Sequence, residues 1–314
     1  MQLIIKSRGC VRTIKFMFRF NSYCIRNMFC LFTTMIFCAG AFCGPADSTV
    51  KAKPYHVNRP VVGGIIAVCM FSDYFAIGRI KSKTAISGEE LLFLNTEAQK
   101  DLMNPIDRWA LRQKATDRKQ YQQISDYGQV LIYLSPGLLA FDKNIRKDWL
   151  DLLLMYVEGH TITFTFYNYS FLGPTFHNRY RPMTYYSEFT DEARRNGNNR
   201  NSFYSGHVAS CTYSTFFMAK VYCDYHPDMG AAKYLWYIAA SIPPVLMGYS
   251  RIKALDHFPS DDAVGFALGA VIGIVIPELH KYRCNKYLSL GMFNSPDGMG
   301  LSIRWKLPDK HLLI

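Results

Sequence analysis

Residues 250–261 read SRIKALDHFPSD, and residues 204–207 read YSGH. Pro259 suits the first turn of a helix, which places His257 just before that helix and Asp261 about one turn along it. A carboxylate there can accept a hydrogen bond from one ring nitrogen of His257 and leave the other nitrogen free to act as a nucleophile. The stretch therefore predicts a helix that begins beside a reactive histidine.

The second stretch and two arginines predict an anion site. Ser205 suits the N-cap of a helix that opens at His207, and the free amides at such a helix start, Gly206 included, bind anions. Arg251 and Arg181 carry planar guanidinium groups that match phosphate oxygens. These groups are sufficient for phosphoryl transfer without a metal. They comprise a nucleophile, its orienting carboxylate, a second histidine as acid and cations that bind the phosphate.

This constellation resembles the type-2 phosphatidic acid phosphatase superfamily, in its bacterial exported or membrane branch. The family signature is KX6RP, then PSGH, then SRX5HX3D. The third element is complete in Ser250, Arg251, His257 and Asp261. The second element is matched with Tyr204 in place of proline, and the first by Arg181-Pro182, although Pro174 stands at the lysine position. The resemblance covers roughly residues 125–280.

The resemblance implies a mechanism as well as a fold. It implies that His257 attacks phosphorus to form a phosphohistidine, that His207 protonates the leaving oxygen, and that Asp261 holds His257. It also implies that the transferring phosphoryl group is stabilised by Arg181, Arg251, Ser250 and the Ser205–Gly206 amides. The implied enzyme is a hydrolase of phosphomonoesters or pyrophosphates, with a phosphorylated lipid or small phosphoester as substrate. It requires no metal and no cofactor.

Pro174 leaves the family's lysine without a counterpart. Arg179 is the nearest cation in sequence, two residues before Arg181. Arg181 precedes a proline and is therefore biased away from helix, and in an extended segment residues two apart point the same way. We expect Arg179 to bind phosphate in the lysine's place. We expect His160, Glu158 and His177 to be structural.

The apolar pattern predicts an all-α fold, a bundle of six helices with a small C-terminal β-hairpin-like extension. Apolar helices are expected at about 206–224, 231–249 and 259–279, after an apolar run at Val61–Ile77 and another at Trp149–Phe171. Gly265, Gly269 and Gly273 share one helix face, which favours close helix packing in a membrane or in a soluble core. Leu301, Ile303, Trp305 and Leu307 alternate with polar residues, which predicts a strand after a turn.

The chain divides into four parts by composition. We expect a signal peptide or N-terminal membrane anchor at 1–43, a linker at 44–60, the helical phosphatase domain at 61–283 and the strand-like extension at 284–314. Met28–Phe42 is uncharged and largely apolar, and Ala41-Phe42-Cys43 offers small residues for cleavage before Gly44. The leader indicates export to the cell envelope, membrane-embedded or membrane-apposed, with the active site facing the periplasm.

The net charge of +12 does not indicate nucleic-acid binding. Residues 1–46 hold six basic residues and no acidic one, so half of the excess lies in the leader. The cysteines show no CxxC pair and no zinc spacing. We expect Cys69, Cys211, Cys223 and Cys284 to be buried or lipid-facing thiols.

Three alternatives remain open at this stage. Vanadium haloperoxidases share the constellation and hold vanadate where phosphate would sit. With Pro174 at the lysine position, the chain could also be a catalytically impaired protein that binds phosphate or a lipid head group. A structural envelope protein, with the C-terminal hairpin as its working part, is the third.

Overall fold

The computed structural model describes residues 2–8, 11–17, 53–170, 173–281, 288–295 and 298–306. The chain forms two compact units, residues 59–279 and the two chain ends together. In the first unit the α-helices are α1 (Arg59–Lys81), α2 (Gly88–Leu94), α3 (Glu97–Asp101), α4 (Arg118–Leu134), α5 (Trp149–Tyr169), α6 (Asp191–Arg195), α7 (Gly206–Tyr225), α8 (Lys233–Lys253) and α9 (Pro259–Leu279). Short 3₁₀ helices lie at Asp107–Arg112, Ala115–Asp117, Ser135–Phe141, Ile145–Asp148, Pro182–Tyr185, Gly197–Arg200 and Pro227–Ala232.

The first unit is all-α in its described residues, as the sequence predicted. Helices α1, α4, α5, α7, α8 and α9 each have 17 to 23 residues. The expected number of six stays a prediction, because α2, α3 and α6 lie between the long helices. Helix α4, which begins at Arg118, is not among the helices that the apolar pattern predicted.

Helix α7 is the centre of this unit and packs against α9, α8 and α5. Its contact with α9 depends on the predicted glycine face. A Cβ atom at Gly265 would lie 2.6 Å from the carbonyl oxygen of Ser205, and one at Gly269 would lie 2.2 Å from that of Ala209. Only glycine allows the two backbones this approach, so the close packing that the glycine spacing predicted is present.

Polar side chains are buried between the long helices. Asp73 of α1 accepts hydrogen bonds from Asn168 Nδ2 at 2.8 Å and Thr165 Oγ1 at 3.0 Å, which joins α1 to α5. In the α5–α7 contact, His160 Nε2 lies 2.8 Å from the Tyr156 hydroxyl and 3.1 Å from the Ser214 hydroxyl. These networks position the helices, since buried polar groups need partners.

Apolar side chains cover much of the outside. Helix α8 exposes Leu235, Ile238, Ile242, Val245 and Leu246, and α1 exposes Met70, Phe71, Tyr74 and Phe75. Helices α1 and α9 are long and apolar enough to cross a membrane, by length and composition. Contiguous apolar surface of this kind marks an interaction with a membrane or a partner.

Two polar segments, residues 82–117 and 173–203, are joined by an arginine. Arg200 forms a two-pronged pair with Glu90, with Nη1–Oε1 at 2.9 Å and Nη2–Oε2 at 2.8 Å. The extended backbone around Arg179 runs beside the backbone at Asn201. This arrangement fixes the segment that carries Arg181.

The second unit contains a four-stranded antiparallel sheet in the order β1 (Gln2–Arg8), β2 (Val11–Met17), β4 (Gly298–Lys306) and β3 (Leu288–Ser295). Strands β1 and β2 fall within the segment that we interpret as a leader. The apolar part of that leader, most of the linker and Cys284 lie outside the described residues.

The described cysteines of the helical unit are Cys69, Cys211 and Cys223. Cys69 and Cys211 are fully buried, as expected, and Cys223 is partly exposed.

Two glycine substitutions test the helix packing, and they are expected to change the free energy of unfolding in opposite directions. Gly269→Ala is expected to lower the free energy of unfolding by about 1–3 kcal/mol, because the new methyl group meets the α7 backbone. Gly64→Ala, on an exposed face of α1 with nothing within 4 Å of the new Cβ, is expected to raise it by roughly 0.5–1 kcal/mol. Chemical unfolding in detergent measures both. A Gly269→Ala protein as stable as wild type would contradict the packing.

Candidate active site

The N-termini of α7 and α9 meet, and they bring the two sequence stretches together. Helix α9 begins at Pro259, and the Ser205 side chain accepts a hydrogen bond from the Val208 amide at 3.4 Å, so both helix starts are as predicted. The Ser205 amide donates to the carbonyl oxygen of Asp261 at 3.1 Å. The amides of Gly206 and His207 belong to the first helical turn, where no intrahelical carbonyl is available to them.

His257 lies in the loop before α9, with 2% of its surface exposed. Its Nδ1 is 2.7 Å from the backbone carbonyl oxygen of Ser202, an acceptor only, so Nδ1 carries the proton. In the neutral ring this leaves Nε2 with the lone pair that a nucleophile needs.

Asp261 holds His257 less directly than predicted. Its Oδ2 lies 3.8 Å from His257 Nδ1, which is beyond a hydrogen bond. The carboxylate instead accepts from the Ser202 hydroxyl at 2.6 Å and from the Phe258 amide at 2.8 Å. Asp261 therefore positions His257 through two other residues. Ser202 binds the His257 ring with its carbonyl oxygen, and Phe258 follows His257 in the chain.

The His257 pKa is lowered from its ordinary value. Burial is the largest cause, and Arg251 and Arg181 add repulsion of a second positive charge, against the opposing influence of Asp261. The ring is consequently neutral at neutral pH, the form in which it can attack phosphorus.

His207 is half-buried at the start of α7. Its Nε2 lies 3.9 Å from Oδ1 of Asp126, an exposed carboxylate on α4. Burial and then the charges of Arg251 and His257 lower the His207 pKa. A bound dianion would neutralise the arginine and raise that pKa, which is the direction that an acid requires.

A buried carboxylate gathers the cations of the site. Asp256, the residue before His257, is fully buried and pairs with three arginines. Its Oδ1 accepts from Arg181 Nη1 at 3.2 Å and from Arg118 Nη2 at 3.1 Å, and its Oδ2 lies 2.8 Å from Arg251 Nη2. Burial alone would raise the Asp256 pKa, but the three arginines outweigh it and lower the pKa to about 2.

Each of these arginines keeps an unused donor. The buried Nε atoms of Arg118, Arg181 and Arg251 have no hydrogen-bond partner among the described residues. Arg251 Nη1 donates to the Ser125 hydroxyl at 3.1 Å and lies 3.7 Å from Asp126. Donors of this kind are costly to bury unpaired, so the cluster is suited to receive an anion.

The prediction that Arg179 binds phosphate finds no support in the partners of its side chain. Its Nη2 donates to Asp107 Oδ2 at 2.6 Å, and its Nη1 donates to Asp261 and, at 3.0 Å, to the Ser260 hydroxyl. The positive charge of Arg179 is therefore paired with two carboxylates. The extended backbone was expected correctly, but Asp107, 72 residues away in sequence, takes the side chain.

Ser250 also has another partner than expected. Its hydroxyl donates to the carbonyl oxygen of Leu246 in its own helix at 2.9 Å, so its proton is not directed at an anion. His177 is exposed, and its carbonyl oxygen accepts from Lys83. Within the described ranges, no group of three or more His, Cys, Asp or Glu residues is placed to hold a metal ion.

Sequence reasoning missed Arg118, Asp126, Asp107, Ser202 and Asp256. Asp256 stands inside the variable part of the motif, where its position beside His257 was a usable signal. Ser202 stands two residues before the 204–207 stretch, and the other three lie far from the motifs in sequence. For Arg118 the one local signal is a positive charge in the first turn of a helix that has no acidic residue there.

The family comparison agrees with the motif reading. Residues 152–284 match the family model of the PAP2 superfamily. The resemblance is confirmed over that segment. The PAP2 segment contains Arg181, His207, Arg251, His257 and Asp261, whereas Arg118 and Asp126 precede it.

Among solved structures, the chain is similar to a transmembrane PAP2-type phosphatidylglycerolphosphate phosphatase from Bacillus subtilis. The two share 18% sequence identity, with 68% of this chain and 94% of the other covered, at a TM-score of 0.39. The comparison with curated proteins gives no match.

The His257 environment predicts a measurable titration. We expect the pKa of His257 in the anion-free protein to lie below about 6.5, the ordinary histidine value, because burial and two arginines disfavour the charged ring. NMR titration of the His257 ring signal, assigned by its loss in His257→Ala, measures it. A pKa at or above the ordinary value would contradict the described environment.

Proposed function

We propose that this protein is a metal-independent phosphatase that removes the phosphate of a lipid phosphomonoester through a phosphohistidine on His257. The observation that carries the proposal is the buried His257 ring, whose Nδ1 is held by a carbonyl oxygen and whose neighbour Asp256 gathers three arginines. The PAP2 match over residues 152–284 supports a phosphatase-type hydrolase.

The proposed reaction has two steps. His257 Nε2 attacks phosphorus as the bond to the leaving oxygen breaks, and that oxygen takes a proton from His207. Water then attacks phosphorus and the bond to His257 Nε2 breaks, with its electron pair returning to the ring. His207 accepts a proton from the water, and phosphate leaves. The arginines and the amides at the start of α7 stabilise the negative charge on the phosphoryl oxygens throughout.

An amphiphilic substrate is favoured by the surface of α4. This helix carries Asp126 beside His207 and continues with the exposed side chains of Tyr127, Val130, Leu131 and Leu134. An acyl chain can lie along such an apolar face while its phosphate reaches the polar end. The apolar helices α1 and α9 support a membrane location for the same substrate.

We further propose that the protein is exported, with the active site on the periplasmic side. The apolar stretch Met28–Phe42 behind a basic segment motivates this proposal. A fusion of residues 1–60 to a reporter that is active only outside the cytoplasm tests it, and an inactive, stably expressed fusion would contradict export.

Removal of the nucleophile tests the proposed activity. Wild-type protein in detergent, without added metal, is expected to release phosphate from p-nitrophenyl phosphate and from phosphatidate. His257→Ala is expected to lower kcat/KM by about a thousand-fold or more, because no other group replaces the nucleophile. His177→Ala, an exposed histidine, serves as the matched control and is expected to retain activity.

Other results would change the assignment. Activity of His257→Ala within tenfold of wild type would remove His257 as nucleophile. A folded wild-type protein that binds phosphate but releases none would favour the binding protein, and vanadate-dependent bromide oxidation would favour the haloperoxidase.

A further inference from the structure

Arg118 stands where local helix energetics disfavour a cation. It is the first residue of α4, Lys119 follows it, and the first turn of this helix contains no acidic residue. Positive charge at a helix N-terminus opposes the helix dipole at a cost of about 0.3–1 kcal/mol. The partners of the Arg118 side chain therefore have to offset this cost.

The side chain of Arg118 reaches the catalytic loop. Its Nη2 and the Nη1 of Arg181 donate to the same oxygen of Asp256, at 3.1 and 3.2 Å, which places the two guanidinium groups side by side. Since Asp256 directly precedes His257, the Arg118 charge lies next to the nucleophile's loop. The pair joins residues that are 138 positions apart.

The guanidinium of Arg118 is held in a fixed orientation. Its Nη1 donates to Gln122 Oε1 one helical turn along α4 at 3.1 Å, and its Cζ lies 5.8 Å from the centre of the Phe189 ring. The side chain is 21% exposed, so it retains contact with solvent. Its buried Nε has no partner among the described residues.

A charge count explains why two arginines do not suffice. Arg181 and Arg251 supply two positive charges, and the fully buried Asp256 consumes one of them. A phosphomonoester carries about 1.5 to 2 negative charges at neutral pH. With Arg118 the cluster retains two positive charges when the buried Asp256 alone is counted, and these match the dianion. The exposed Asp126, 3.7 Å from Arg251 Nη1, is left out of the count because solvent screens it. Arg179 contributes nothing to this count, because Asp107 and Asp261 take its charge.

We propose that Arg118 is the third phosphate-binding cation of this site and replaces the lysine that is absent at Pro174. The proposal rests on the proposed function, whose phosphoryl group the cluster would hold. Arg118 keeps its ion pair with Asp256 and offers Nε–H to the anion. The competing role is purely structural, in which Arg118 only neutralises Asp256.

Binding of inorganic phosphate separates the two roles. By isothermal titration calorimetry in detergent, Arg118→Gln is expected to bind phosphate about 10- to 100-fold more weakly than wild type, the range for one charge-assisted hydrogen bond. Lys119→Gln removes the same charge from the next, exposed position and is expected to bind like wild type. A structural role would lower the Tm of Arg118→Gln and leave its phosphate Kd unchanged, which would overturn the proposal.

A second variant, Arg118→Lys, tests the proposal even if Arg118→Gln does not fold. Arg118→Lys can keep the ion pair with Asp256 but lacks the Nε–H, and it is expected to bind phosphate roughly tenfold more weakly. An unchanged Kd in Arg118→Lys, when Arg118→Gln fails to fold, would also overturn the proposal. Wild type that binds phosphate without hydrolysing any phosphoester would count against the proposed function alone.

Discussion

The ion pairs of Asp256 are the interaction on which the site depends. A fully buried carboxylate is tolerated only with partners, and Asp256 has three, from α4, from the extended segment before Pro182 and from the end of α8. The same carboxylate therefore joins three parts of the fold at the residue before His257. It also keeps three guanidinium groups close together, which would repel one another without it.

A second carboxylate, that of Asp261, positions the nucleophile. Asp261 binds the Ser202 hydroxyl and the Phe258 amide, and the Ser202 carbonyl oxygen binds His257. Arg179 and Asp107 extend this network to the polar segment at 82–117. Asp256 thus assembles the anion site and Asp261 orients the histidine beside it, while the close contact of α7 and α9 brings His207 to the same place.

Sequence reasoning succeeded where local rules apply. The start of α9 at Pro259, the Ser205 cap and the glycine face follow from short-range sterics and hydrogen bonding. The roles assigned to His257, His207, Arg251 and Arg181 from the motif spacing stay predictions. It did not reveal the partners of Arg179, because an extended backbone fixes the side on which a side chain lies but not the group that it contacts. Arg118 and Asp126 could not be found, because only the packing of α4 against α8 brings them to the motif.

A structure of the protein with bound orthovanadate tests the central claim most directly. We predict vanadium next to His257 Nε2, with its oxygens contacted by Arg181, Arg251 and Arg118 while Asp256 stays buried among the same arginines. Vanadate bound away from His257, or an arginine cluster that leaves the anion untouched, would contradict it.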